Sequence, residues 1–72
     1  MMENLFYLCI NNQDCPDLVI KKVYQSINDS EASNYGQIRI IDESEEDYLY
    51  PENFFVPVEI PKVAEVVFYL AA

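Results

Sequence analysis

Up to residue 60, turn-forming clusters interrupt the chain about every ten residues, and this punctuation restricts it to short strands joined by tight connections. The segment "NLFYLCIN" alternates, with Phe6, Leu8 and Ile10 on one face and Leu5, Tyr7 and Cys9 on the other. "NNQDCPD" is a loop by its Asn, Asp and Pro content, and "LVIKKVYQSI" is again β-rich. "NDSEASNYG" gathers turn formers around the only glycine, Gly36. In "QIRII" the pattern places Ile38 and Ile40 inward and Gln37 and Arg39 outward. "DESEE" reads as a hairpin tip and "DYLYP" as the returning strand, ended by Pro51, which has no N–H to offer a ladder. "ENFF" fits one tight 3-10 turn near 51–55. "VPVEI" fits a closing edge strand, the one kind that tolerates Pro57.

Five short strands predict a mainly β fold, a small barrel or sandwich over residues 1–60. Closure into a barrel is favoured because it protects strand edges in so short a chain. The tail, 61–72, changes period. Val63, Val66, Val67 and Leu70 recur at helical spacing after Pro61, which predicts a short helix over 61–71. "VVFYLA" reads equally well as a strand, since Val, Phe and Tyr are mediocre helix formers. As a helix, the Val63–Leu70 stripe would cap the barrel. Phe68 and Tyr69 would then face outward, either covered within the subunit or meeting a second copy in a homodimer.

At 72 residues the chain is a single domain near the lower limit for a self-supporting core. Six Tyr and four Phe supply the bulk for that core, so a disordered state is excluded. Thirteen acidic against four basic residues give a net charge of −9, which repels phosphate backbones and anionic membranes and attracts basic proteins. Lys21, Lys22, Arg39 and Lys62 are too few for direct nucleic-acid binding. No signal-like or bilayer-spanning segment opens the chain, so a cytoplasmic location with reduced Cys9 and Cys15 is expected.

Catalytic and metal chemistry lack their parts. There is no histidine, and one glycine cannot build a phosphate loop. The acids Asp42, Glu43, Glu45, Glu46 and Asp47 do not follow a calcium-loop pattern, because the sixth position from Asp42 is Asp47 and the twelfth is Asn53. No cofactor is implied. A barrel of this size is also expected to lack a substrate pocket of about 300 Å³ or more.

"LFYLCINN", "LVIKKVY" and "IIDESEEDYLYPENFF" together resemble a widespread group of small, uncharacterised bacterial and phage proteins with an SH3-like β-barrel. The likeness covers about residues 5–60. It implies a fold, a strand followed by a proline-led 3-10 turn and a closing strand, and no activity. Lys21 and Glu45 stand where that pattern has glycine. The hairpin at "DESEED" is therefore expected to be longer or looser than a glycine-built turn. By analogy with peptide-binding SH3 domains, Pro51, Asn53 and Phe54 would lie on the ligand side. The chain has no tryptophan and no matching tyrosine pair for a proline-peptide groove. Tyr50 and Phe55 are expected to point inward and Phe54 to be partly exposed.

The expected function is a non-catalytic protein-interaction module. Its contact surface would comprise Asp42, Glu43, Glu45, Glu46, Asp47, Asn53 and Phe54, its partner would be a basic protein, and 61–72 is a candidate homodimer interface. The alternative is a nucleic-acid mimic that occupies the basic groove of an enzyme. A thiol sensor built on Cys9 and Cys15 is the third reading.

Overall fold

The computed structural model describes residues 5–70. Strands β1 (Phe6–Cys9), β2 (Val23–Ile27), β3 (Gln37–Ile41), β4 (Asp47–Pro51) and β5 (Phe55–Pro57) form one open antiparallel sheet in the order β4-β3-β2-β1-β5. A short helix α1 (Ser30–Ser33) links β2 to β3, a 3-10 turn (Glu52–Phe54) links β4 to β5, and helix α2 (Lys62–Leu70) follows.

The strand order forces the sheet to coil. β4 and β5 are its two edges, which in a flat sheet would stand about 19 Å apart at ~4.8 Å per strand. Yet the three residues Glu52–Phe54, at roughly 2 Å rise each, join them. β2 makes this possible by changing partners along its length. Its first half pairs with β1 (Tyr24 with Tyr7) and its second half with β3 (Ser26 with Ile40). Among the described residues no ladder joins β4 to β5.

Registration fixes which side chains meet inside. Tyr7 lies opposite Tyr24, Cys9 opposite Phe55 and Ile38 opposite Tyr50. The buried core is Cys9, Leu18, Tyr24, Ile40, Tyr50 and Phe55, with Tyr7, Cys15, Ile38 and Phe54 packed around it. Phe55 meets Tyr24 and Tyr50 edge-on, with ring centroids 6.4 and 6.2 Å apart, the geometry aromatic quadrupoles favour. Tyr50 and Phe55 point inward and Phe54 is half-buried, as the SH3 analogy implies. β5 is an edge strand, so Pro57 withholds no needed hydrogen bond.

Several expectations are overturned. Ile10 lies one residue beyond β1 and its side chain is exposed, although its N–H still donates to the Phe54 carbonyl at 2.8 Å. "LVIKKVYQSI" is not one strand. Leu18 enters the core from the loop, and Lys21, at φ +74°, turns the chain into β2. Helix α1, in the stretch expected to be turn alone, is nucleated by Asp29. The Asp29 side chain accepts the Ala32 N–H at 3.0 Å.

Phe6 lies on the outer face of β1 yet is buried, because the Phe68 ring of α2 covers it at 4.8 Å. Helix α2 is therefore turned away from its expected orientation. Phe68 packs inward, while Val63, Val66 and Val67 stand 80%, 48% and 64% exposed. The large aromatic displaces the valine stripe because its ring buries more apolar surface on the sheet. The expected roles of the Tyr69 and Leu70 side chains lie outside the described portion.

Candidate functional site

The acidic hairpin is built from short local hydrogen bonds. Glu45 N–H donates to the Asp42 carbonyl at 2.9 Å, and Asp42 N–H donates to the Glu46 carbonyl at 3.1 Å. Glu45 itself takes φ +68°. This is a tight turn closed by a left-handed residue, with glutamate in the place glycine usually fills. The expected looser loop is not formed.

Asp42 is the keystone of that turn rather than part of its surface. It is only 4% exposed. One carboxylate oxygen accepts the Ser44 N–H at 2.9 Å and the Ser44 hydroxyl, and the other accepts the Tyr50 hydroxyl. Burial opposes its ionisation. The bonds from Ser44 and Tyr50 outweigh that and hold its carboxyl below the usual aspartate range. The Tyr50 phenol is pushed upward by burial and by its bond to Asp42.

Glu43 ties the hairpin to the opposite loop. It accepts from Lys22 Nζ and, at 2.6 Å, from the Tyr24 hydroxyl, which itself accepts the Val19 N–H at 2.7 Å. The Lys22 and Tyr24 bonds lower the Glu43 carboxyl. Arg39 bridges Asp47 and the α1 cap Asp29, each at 2.9 Å. Asp29 is lowered by the Ala32 N–H and by Arg39.

Of the five hairpin acids, then, Asp42, Glu43 and Asp47 serve internal bonds. Glu45 and Glu46 project from the tip without a cation among the described residues, Glu46 accepting the Tyr48 hydroxyl at 3.4 Å. Nor does the structure bring Asn53 and Phe54 to them. Those two sit in the 3-10 turn at the far end of β4, roughly 15 Å away for a five-residue strand. The expected single contact surface is two separate patches.

Two open clefts contradict the expectation of no sizeable pocket. One, of 830 Å³, runs between α1 and the 3-10 turn and includes Arg39, Glu52 and Asn53. The other, of 590 Å³, is a mainly apolar trench on the outer face of the sheet. Val23 and Gln25 of β2 and Ile41 of β3 form its floor, Val67 and Phe68 of α2 one wall, and Asp42, Glu45 and Lys22 its rim. The outer-face alternation of Val23 and Gln25 was a signal for this floor. Nothing in the sequence said where α2 would lie beside it.

Both cysteines are free, Cys9 buried and Cys15 half-buried. Burial raises both thiols, with Asp14 adding to Cys15, so neither is primed as a thiolate at neutral pH. This argues against the thiol-sensor reading. Among the described residues no group of three acid or cysteine side chains is placed to hold a metal ion, and no helix is long and apolar enough to cross a membrane. Comparison with protein-family models, with curated proteins and with solved structures finds no match for this chain.

Proposed function

We propose that this protein is a non-catalytic interaction module, an SH3-like barrel of the cytoplasm whose acidic hairpin receives a basic protein partner. The coiled strand order, the 3-10 corner between the two edges and the shared β2 support the barrel reading. So do the left-handed Lys21 and Glu45, which occupy the glycine positions of the pattern the chain resembles.

The observation that carries the function is the pair Glu45 and Glu46. They are exposed on a turn braced by Asp42 and Glu43, in a chain of net charge −9. Braced carboxylates lose little entropy on meeting a cation, so they serve recognition better than mobile ones. The test is affinity capture at low salt with the wild-type chain and a Glu45→Gln, Glu46→Gln variant. A partner should be retained by the wild type, released as ionic strength rises, and held severalfold more weakly by the variant. Equal retention by both chains, or retention indifferent to salt, refutes the assignment. Displacement of the captured protein by DNA or RNA would favour the nucleic-acid mimic.

A further inference from the structure

Among the described residues, the outer face of the sheet is only half covered. A helix is about 10 Å across, the width of two strands at ~4.8 Å spacing. Helix α2 lies over β1 through the Phe68–Phe6 contact, so the neighbouring pair β2 and β3 keeps its outer side chains open. That uncovered strip is the 590 Å³ trench. Along its wall α2 presents Val67, with Val63 one turn earlier, both largely exposed. Val is a poor choice for a solvated helix face, since it loses rotamer freedom there and gains no burial. A second helix laid beside α2 would cover the trench floor and these valines together.

Charge decides what kind of helix. The trench carries Glu45 at its rim, without a cation among the described residues, whereas the Glu46 carboxylate accepts the Tyr48 hydroxyl at 3.4 Å and does not line the trench. The cation that lines the trench, Lys22, is already bound by Glu43. An apolar floor with a free acidic rim is complementary to a helix with one apolar face flanked by Lys or Arg. A second copy of this chain brings another nine negative charges instead.

We infer that the trench between α2 and the hairpin receives a basic amphipathic helix of a partner protein. Apolar residues at i, i+3 and i+4 seat on Val23, Ile41 and Val67, and a basic residue beside them meets Glu45. This rests on the interaction reading above and specifies its geometry.

The experiment uses two synthetic peptides of Leu and Lys, about four turns long. One has the Leu residues on a single helical face, and the other is a scramble of equal charge. Each is titrated into the full chain at low salt, with amide shifts and affinity as readouts. Variants are Val67→Glu and, on the exposed Tyr35 far from the trench, Tyr35→Ser. The amphipathic peptide should bind at least about tenfold tighter than the scramble, shift the amides of Val23, Ile41 and Val67, and lose about tenfold affinity with Val67→Glu. Tyr35→Ser should bind like the wild type. Val67→Glu adds a negative charge, so purely electrostatic binding would strengthen, and loss can arise only from the apolar contact. Equal binding of both peptides, or undiminished binding by Val67→Glu, overturns the trench inference and leaves the acidic-surface reading standing. No salt-sensitive binding by either peptide overturns both. A dimer of the free protein that Val67→Glu dissociates also overturns the inference, since a second copy would then fill the trench.

Discussion

Glu45 and Lys21 each hold a positive φ that an L-residue adopts at a cost of about 1–2 kcal/mol. Glycine removes that cost while losing part of it to greater freedom in the unfolded chain. Glu45→Gly and Lys21→Gly should therefore each stabilise the fold by about 0.5–1 kcal/mol, read as a raised urea midpoint at unchanged slope. A lowered midpoint for Glu45→Gly would mean that its side chain contributes contacts the turn geometry does not show. Tyr50→Phe is the opposite case. It leaves a buried oxygen of Asp42 without its donor, at a cost of about 1–3 kcal/mol. Because the folded Asp42 carboxyl lies below its unfolded value, the ion contributes stability above about pH 4 that is lost as pH falls through the folded value. Tyr50→Phe should flatten that acid limb, and a pH–stability profile parallel to the wild type would remove Asp42 from this role.

At the level of elements, α2 depends on one aromatic contact. A nine-residue helix is too short to persist alone in water, and among the described pairs its only ring contact is Phe68 on Phe6. Phe68→Ala should cost about 1–2 kcal/mol and speed amide exchange across 62–70, whereas Val67→Ser should change stability by less than ~0.5 kcal/mol. Equal effects of the two substitutions would mean that the valine face, not Phe68, holds the helix. The period of "PKVAEVVFYLAA" revealed the helix but named the wrong inner face. Periodicity counts apolar positions equally, and one Phe outweighs several Val once a partner ring is available. The alternation of "QIRII" and the Pro51 stop were legible because one face is buried and proline's missing donor acts locally. Asp42 was misread as surface for the converse reason. Its burial depends on Tyr50, eight residues away across a hairpin, and a charge count cannot see a satisfied carboxylate. The tight hairpin was missed because glycine's preference for positive φ was taken as a requirement. Asn53 and Phe54 were joined to the acids by analogy with the ligand side of peptide-binding SH3 domains, and the length of β4 keeps the two groups apart.

For the molecule as a whole, nine uncompensated negative charges spread over a radius of gyration of 11.6 Å oppose the compact state. The ion pairs Lys22–Glu43 and Arg39 with Asp29 and Asp47 are too exposed to offset this by more than a small amount. Screening should therefore act in opposite directions on folding and on binding. Raising salt from about 0.05 to 0.5 M shortens the screening length from roughly 14 to 4 Å, relieving repulsion among the chain's own acids. The urea midpoint should rise over that range, and affinity for a basic partner should fall. Salting-out of apolar surface also raises midpoints, so the Glu45→Gln, Glu46→Gln variant supplies the control. Its midpoint should start higher at low salt and climb less. A wild-type midpoint that falls with salt would mean that internal ion pairs outweigh net repulsion, and the acids could then be retained for stability. If the midpoint rises, the exposed glutamates weaken the free fold, and the place of Glu45 at the rim of an apolar trench is best explained by what it attracts.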